Sequence, residues 1–206
     1  MAEWTSGIYR LVGVPSFYLA FQDALGASSG RKRLVREFIR PEHARSVLDL
    51  GCGSAAILDL LPPATRYLGI DRNSAHIEKA RRLHGDRGMF HAGNFDDPVM
   101  FDAAPFDIVL ALGLLHHLED EEVRALFQLA RSVLAQDGRF LSVDPVFVSG
   151  QHPVARFLIG RDSGRNVRNR EGYERLASDI FSRVDVTIAH DYLRVPYSHC
   201  LMQLSA

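Results

Sequence analysis

Short apolar runs alternate with amphipathic stretches of helical length from position 46 onward. This alternation is typical of βαβ units, whose parallel strands are buried on both faces and covered by helices. The pattern therefore predicts an α/β fold. The predicted strands span residues 46–50, 66–70, 89–92, 107–111, 139–143, 183–189 and 197–204.

Helices are predicted between the strands, wherever apolar residues recur at helical spacing. Their ranges are 55–61, 74–83, 119–135 and 171–181, with a weak turn at 97–101, a tight turn at Asp137-Gly138, and a loop or short helix at 151–170. The segment before the first strand is predicted to be a broken helix at 8–25, a turn or flexible joint at 26–30, and a helix at 31–40.

These patterns divide the chain into four consecutive parts of one domain. We expect a helical cap at 1–45, a ligand-binding core at 46–144, an insertion or lid at 145–172, and a C-terminal helix with two strands at 173–206. The length of 206 residues and the hydrophobic content of 47% suit a single buried core.

The charge balance limits the classes of partner. Lys and Arg total 24 against 25 Asp and Glu, so no net field attracts nucleic acid or an anionic membrane, and a small-molecule partner fits better. Cys52 and Cys200 are too few and too far apart for a disulfide framework or a zinc cluster. No apolar run reaches the ~20 residues that span a bilayer. We expect a cytoplasmic protein without a membrane span or a bound metal.

The strongest chemical signal is an apolar strand that ends in an acidic residue and a glycine loop. Asp49 lies near the end of the first strand, and Gly51 and Gly53 flank Cys52. Glycines let the backbone adopt positive φ and approach a ligand closely, and the amides of a following helix would face the same space. The spacing also satisfies the dinucleotide fingerprint with Ala56 as its third member, which is a weak match by itself.

Three further positions follow predicted strands at the same edge of the sheet. Asp71 closes the second strand, where a carboxylate can accept hydrogen bonds from both ribose hydroxyls. After the third strand, Asn94 is placed to hydrogen-bond an adenine edge and Phe95 to pack on the ring. The segment 111–117 follows the fourth strand and is expected to line the crevice beside the first.

Together these residues resemble the class I S-adenosylmethionine-dependent methyltransferases of the small-molecule type, from about position 46 through 143 and more loosely beyond. Asp49 distinguishes this resemblance from one to the nicotinamide dehydrogenases. The methyltransferase family has an acidic residue two positions before the first glycine, where the dehydrogenases usually have an apolar one. The resemblance implies a Rossmann-like sheet of seven mostly parallel strands with a reversed last strand, helices on both faces and an N-terminal helical cap. It implies S-adenosyl-L-methionine as cofactor and methyl transfer to an O, N or C nucleophile of a small-molecule acceptor.

The resemblance also implies roles for individual residues. Asp49 and the backbone of 51–53 would contact the methionine part, Asp71 the ribose, and Asn94 with Phe95 the adenine. The candidate cofactor-binding residues are Asp49, Gly51, Cys52, Gly53, Asp71, Arg72, Asn94, Phe95, Ala111 and Leu112.

Two adjacent histidines are the candidate acid–base residues. His116 and His117 belong to a segment that resembles the family's "LHHL" element, near the sulfonium and the acceptor. Neighbouring side chains at a helix start point in different directions, so only one can face the ligand, and the resemblance favours His117. Two positions depart from the family pattern: Ala55 replaces a third glycine, and Asn94 replaces an acid.

The insertion carries a local cluster of positive charge. It consists of Arg156, Arg161, Arg165, Arg168 and Arg170. The cluster is either a solvated surface or an anion-binding lid, since guanidinium groups match phosphate and carboxylate geometry. The lid hypothesis favours an anionic acceptor. Residues expected to join the acceptor pocket are Tyr9, Phe17, Phe21, Phe157, Tyr173, Tyr192, Tyr197 and His199.

Three other functions remain open from the sequence. They are nucleic-acid or protein methylation, a nicotinamide oxidoreductase, and a non-catalytic cofactor-binding partner subunit. The segment after the fourth strand lacks the Asn/Asp-Pro-Pro-aromatic box of amino-group methylation, and no basic groove is evident. The sequence fixes neither the acceptor, nor its reacting atom, nor the oligomeric state.

Overall fold

The centre of the molecule is a mixed seven-stranded sheet. The structure is a computed structural model that describes residues 27–162 and 164–205. In sheet order β3-β2-β1-β4-β5-β7-β6, the first five run parallel, whereas β7 is antiparallel to both of its neighbours. The strands are β1 (Ser46–Leu50), β2 (Arg66–Asp71), β3 (Met89–Ala92), β4 (Phe106–Leu112), β5 (Leu134–Pro145), β6 (Arg183–Ala189) and β7 (His199–Ser205).

Helices precede or connect the strands. They are α1 (Ala27–Leu34), which continues as a π-helical turn (Val35–Ile39), α2 (Ser74–His84), α3 (Val99–Ala103), α4 (Asp120–Val133), α5 (Pro153–Ile159) and α6 (Arg170–Ser178). Short 3₁₀ turns lie at Leu58–Leu60, Gly85–Arg87 and Leu115–His117.

The strand order opens a crevice beside β1. All five residues of β1 are buried, and Asp49 pairs in register with Gly69 of β2 on one side and Leu110 of β4 on the other. The chain winds outward from β1 in one direction through β2 and β3, and in the other through β4 and β5. Loops that leave β1 and β4 therefore diverge, and ligands of open α/β sheets bind in the space between them.

Apolar side chains cover both faces of the sheet. On one face α4 places Phe127 against Phe140 of β5, with ring centroids 5.3 Å apart in an edge-on arrangement. On the other face, two isoleucines are completely buried: Ile39, in the π-helical turn after α1, and Ile77, in α2. Burial of such side chains supplies roughly 2 kcal/mol each and fixes the sheet that carries the crevice.

The predicted α/β fold is confirmed, including the reversed last strand and helices on both faces. β1, β3 and β6 have the predicted bounds, and α4 begins where Glu119 and Glu122 form a capping box. The tight turn predicted at Asp137-Gly138 is instead a bulge inside β5, where the register with β4 shifts.

Two further predicted elements are wrong. No α-helix forms at 55–61, because Ala55 has a φ of +56°, and only the 3₁₀ turn Leu58–Leu60 follows before Pro62. The amides of a helix N-terminus are therefore missing from the glycine loop. The joint predicted at 26–30 is wrong from Ala27 onward, since α1 already begins there.

Part of the predicted N-terminal cap lies outside the described residues, namely the broken helix at 8–25 with Tyr9, Phe17 and Phe21. Within the described ranges, every helix is too short or too polar to cross a membrane.

Candidate active site

The glycine loop leaves the carboxyl end of β1 in a tightly fixed conformation. Gly51 and Gly53 have φ angles of +71° and +56°, which side chains other than glycine rarely adopt. The amides of Gly51 and Cys52 both donate to the carbonyl of Ile70, at 2.8 and 3.1 Å. A Cβ on Gly53 would meet nothing within 4 Å. The loop therefore presents bare backbone to open space, as a cradle for a ligand requires.

Asp49 lies beneath the loop rather than at its surface. Its side chain is 3% exposed, and Tyr67 Oη donates a hydrogen bond of 2.6 Å to its Oδ2. Burial raises the pKa of Asp49 to about 7, although the bond from Tyr67 opposes the shift. The proposed contact between Asp49 and a cofactor stays a prediction.

Asp71 connects the end of β2 to the glycine loop. Its Oδ2 accepts a hydrogen bond of 2.8 Å from the Gly53 amide, and its Oδ1 accepts one of 2.8 Å from Asn73. His76 Nδ1 lies 3.4 Å from the same Oδ1. A carboxylate oxygen carries more than one lone pair, so Asp71 can hold the loop and still accept a bond from a ligand hydroxyl.

A cavity of about 190 Å³ lies between the glycine loop, β2 and the segment after β4. Its walls include four of the candidate cofactor-binding residues: Gly51, Asp71, Arg72 and Phe95. Its described walls also contain Leu114, His117 and Leu118, which follow β4. We call this space the smaller cavity.

Other candidate residues lie beside the smaller cavity or away from it. Asn94 is exposed and lines a shallow depression with Arg72, next to the cavity rather than inside it. Ala111 is completely buried in the core, so the expectation that the lining begins there is wrong, and Leu112 is the first residue of β4 to reach a cavity. Cys52 is half-buried, and its Sγ packs 2.8 Å from where a Cβ of Gly69 would stand.

A larger cavity of about 400 Å³ adjoins the carboxyl ends of β4 and β5. Apolar side chains form much of its surface, with a cluster of polar groups at one end. Its described walls are Gly30, Arg31, Leu34, Leu112, Gly113, His116, Val143, Asp144, Pro145, Asp162, Tyr192, Leu193, Tyr197 and His199. The size and the mixture of apolar and polar walls suit a small organic molecule.

His116 is held between two carboxylates at the polar end of the larger cavity. Asp144 Oδ1 accepts hydrogen bonds from the His116 amide at 3.1 Å and from Nδ1 at 2.8 Å. On the other side of the ring, Nε2 lies 3.2 Å from Asp162 Oδ1. Burial disfavours the charged imidazole, but the two carboxylates outweigh it and raise the pKa of His116 to about 9. His116 is therefore cationic at neutral pH.

His117 faces the other way. It is exposed and lines the smaller cavity, whereas His116 lines the larger one. The two rings still touch, with centroids 4.1 Å apart. Partial burial and the neighbouring His116 lower the pKa of His117. The two adjacent histidines thus line different cavities although their rings are in contact.

The insertion packs directly on His116. The Asn166 amide donates to the His116 carbonyl at 3.0 Å. A Cβ on Gly164 would lie only 1.9 Å from His116 Cδ2, so glycine is required for the close passage of this loop. The passage brings Asp162 to His116, and Tyr197 Oη donates to Asp162 Oδ2 at 3.2 Å. The insertion therefore contributes an acidic residue, Asp162, to the wall of the larger cavity.

The arginines of the insertion do not form the expected anion site. Among the described residues that line either cavity, none belongs to the five-arginine cluster. Arg168 binds Asp120 Oδ1 and the carbonyls of Leu115 and Leu118, which anchors the insertion to the segment after β4. Arg165 is exposed. Arg156 lies over Phe147, Arg161 over Phe157, and Arg170 pairs with Glu174.

Two residues of the predicted pocket also lie elsewhere. Phe157 is 59% exposed on α5, and Tyr173 is buried in the core, where its hydroxyl donates to the carbonyl of Pro145 at 3.0 Å. Tyr192, Tyr197 and His199 do line the larger cavity.

Sequence reasoning missed the two carboxylates that flank His116. Asp144 lies at the end of a buried strand, as Asp71 does, and this position was sufficient to predict it as a site residue. Asp162 carries no comparable signal, because it stands in an irregular loop whose path depends on Gly164.

Comparison with known proteins agrees with this geometry. Residues 47–138 match the family described as "Methyltransferase domain". An uncharacterized methyltransferase of Bacillus subtilis (strain 168), YcgJ, is 34% identical over 110 residues, which cover 51% of this chain and 42% of the relative. The matched residues coincide with the part of the chain whose sequence resembles the class I S-adenosylmethionine-dependent methyltransferases.

Solved structures show the same fold over nearly the whole chain. The S-adenosylmethionine-dependent methyltransferase SibL superposes with a TM-score of 0.72 at 21% identity, covering 99% of this chain and 63% of its own. Mitomycin 7-O-methyltransferase MmcR gives a TM-score of 0.66 at 19% identity, covering 98% and 61%. This chain therefore spans less than two thirds of the length of these relatives.

Proposed function

We propose that this chain transfers a methyl group from S-adenosylmethionine to an oxygen atom of a small-molecule acceptor. The observation that carries the proposal is the pair of adjoining cavities at the carboxyl edge of the sheet. One is built around the glycine loop and the other around His116, and the rings of His116 and His117 separate them. A donor and an acceptor held on either side of this wall would meet beside β4.

The residues around the smaller cavity fit the cofactor. Gly51 lines the cavity, and the bare backbone at Gly53 in the same loop leaves room for close approach. Asp71 retains acceptor capacity for ribose hydroxyls at the end of β2. Phe95 offers an aromatic face for the adenine, and the guanidinium of Arg72 lies 5.8 Å from that ring. We assign the cofactor to these residues, with His117 beside it.

The larger cavity is the proposed acceptor site. Its apolar walls suit a mostly neutral body, while the polar end at His116, Asp144 and Asp162 suits a hydroxyl group. MmcR, which shares the fold, is named as an O-methyltransferase. The five arginines of the insertion do not support an anionic acceptor, because their side chains lie away from the larger cavity.

The cofactor supplies a reactive sulfonium methyl, so the protein's principal task is to align the donor and acceptor. His116 begins the reaction protonated, since its pKa is about 9. It therefore orients the acceptor oxygen rather than removing its proton. His117 stays neutral and is the better proton acceptor of the two, as the sequence favoured.

Calorimetric titration with S-adenosylhomocysteine tests the cofactor site. Because hydrogen bonds to charged groups contribute about 1.5–3 kcal/mol, Asp71→Ala should weaken binding by roughly tenfold to a hundredfold. Asp86→Ala is the matched control, since Asp86 is exposed in the turn after α2. Binding of NAD in place of S-adenosylhomocysteine would favour the oxidoreductase.

Methyl transfer itself is tested with labelled S-adenosylmethionine and a panel of small molecules that carry hydroxyl, amino or activated carbon groups. We expect label in the hydroxylated members. Label confined to amines or carbon acids would contradict the choice of oxygen. Tight cofactor binding without turnover of any member would favour a non-catalytic subunit.

A further inference from the structure

Three potential metal ligands converge where the insertion crosses the wall between the two cavities. A nitrogen of His116, a nitrogen of His117 and a carboxylate oxygen of Asp162 all lie within 4.8 Å of one another. Imidazole nitrogens and a carboxylate oxygen form ligand sets for first-row transition-metal ions. Asp162 is far from the histidines along the chain, so spacing in the sequence does not predict this set.

His116 already has the orientation of a metal-binding histidine. Its Nδ1 lies 2.8 Å from Asp144 Oδ1, and Asp144 is 1% exposed. Metal-bound histidines almost always donate their second ring N–H to such a partner, which fixes the tautomer and leaves Nε2 free to bind the metal. Here Nε2 points toward Asp162, the second potential ligand.

The spacing of these two atoms suits a shared ion. His116 Nε2 and Asp162 Oδ1 are 3.2 Å apart. Two ligands at about 2.1 Å from a metal stand roughly 3.0 Å apart in octahedral and 3.4 Å apart in tetrahedral geometry. An ion can therefore bind between them with small side-chain movements.

His117 completes the set from the exposed side. Its ring already contacts that of His116, with centroids 4.1 Å apart and planes tilted by 39°, and an exposed imidazole can rotate to bring a nitrogen closer. Because Asp162 and His116 line the larger cavity, the remaining coordination positions would open toward that space.

We propose that His116, His117 and Asp162 bind one divalent transition-metal ion, with Asp144 orienting His116. The ion takes the place of the proton between His116 Nε2 and Asp162, and this proton passes to solvent. The site goes beyond the proposed methyl transfer but shares His116 with it, and only the metal-free ring can act there as a cation. Because binding requires neither S-adenosylmethionine nor an acceptor, the site can be tested without turnover.

Titration of the metal-free protein with Co²⁺, followed by the visible absorption of the bound ion, tests the site. We expect one Co²⁺ per chain, displaced by Zn²⁺. Separate replacements His117→Ala and Asp162→Ala should each weaken binding at least about tenfold, the lower end of the loss seen when a supporting residue is removed from a metal site. His43→Ala is the control, since His43 is an exposed histidine in the loop before β1.

Thermal melts and circular dichroism establish that each variant is folded. His117 is exposed, so its replacement should leave the fold intact and its result is decisive even if Asp162→Ala fails to fold. If the parent protein binds no Co²⁺, His116 and Asp162 form an ion pair and not a metal site, and the proposal is overturned. Equal affinities in the parent and His117→Ala would likewise overturn it, by placing the bound ion elsewhere.

Discussion

The imidazole Nε2 of His84 lies 3.0 Å from the carbonyl oxygen of Ser54, which ties the last turn of α2 to the glycine loop. The ring is 5% exposed, and its Nδ1 lies 3.2 Å from Asp59 Oδ1. Because no α-helix follows the loop, this contact replaces part of the support that a helix would give to the loop.

Replacing His84 should therefore weaken cofactor binding from a distance. Loss of one neutral hydrogen bond is worth about 1 kcal/mol, so His84→Ala should raise the Kd for S-adenosylhomocysteine about fivefold. His84→Gln, which retains an N–H donor, should recover part of the loss in the same calorimetric titration. If both variants bind like the parent, His84 supports only the fold.

Asp49 should make stability fall as the pH rises. Its pKa is raised from 3.8 to about 7 in the folded chain, so ionisation favours the unfolded chain. Its contribution to stability is complete below pH 3.8 and is lost as the pH rises through 7. Relative to the parent, Asp49→Asn should gain up to about 4 kcal/mol in free energy of unfolding over this range.

Chemical denaturation at closely spaced pH values provides the measurement for Asp49. Asp86→Asn, at an exposed position, should show no such gain. A difference between Asp49→Asn and the parent that does not change with pH would contradict the raised pKa.

His116 contributes to stability over a different pH range from Asp49. Its pKa is raised from 6.5 to about 9, so its ion pairs contribute fully below pH 6.5 and their contribution is lost as the pH rises through 9. The parent should therefore exceed His116→Gln in melting temperature most strongly below pH 6.5, and the gap should narrow between pH 6.5 and 9. A gap that widens with pH would show that the ring is neutral in the folded protein.

Two arginines of the insertion should differ sharply in their effect on stability. Arg168→Ala removes the ion pair with Asp120 and leaves the carbonyls of Leu115 and Leu118 without this donor, at a cost of about 3 kcal/mol. Arg165→Ala changes an exposed side chain and should stay within about 0.5 kcal/mol of the parent. Urea denaturation compares them, and equal losses would contradict the assigned anchor.

Local pattern was sufficient for the sheet and for the residues at strand ends. β1 could be predicted because its five residues are buried on both faces, and Asp71 because it directly follows such a strand. The helix at 55–61 could not be excluded in this way. This helix does not form because the glycine loop imposes a positive φ on Ala55. The spacing of hydrophobic residues does not reveal such a backbone angle.

The acceptor side depended on contacts between distant parts of the chain. The sequence indicates Arg168 as a possible anion ligand, but in the structure its guanidinium pairs with Asp120. Asp162 reaches His116 only because Gly164 lets the backbone pass against the ring. Sequence spacing contains neither relationship, since both depend on how the insertion folds over the sheet.

The rings of His116 and His117, which are in contact, belong to the walls of two different cavities. A molecule that displaces one ring changes the room left for the other, so occupancy on one side carries a free-energy consequence on the other. Such coupling is reciprocal: if the cofactor alters the acceptor's affinity by some factor, the acceptor alters the cofactor's affinity by the same factor. The affinity measured for either molecule then depends on whether the other is bound.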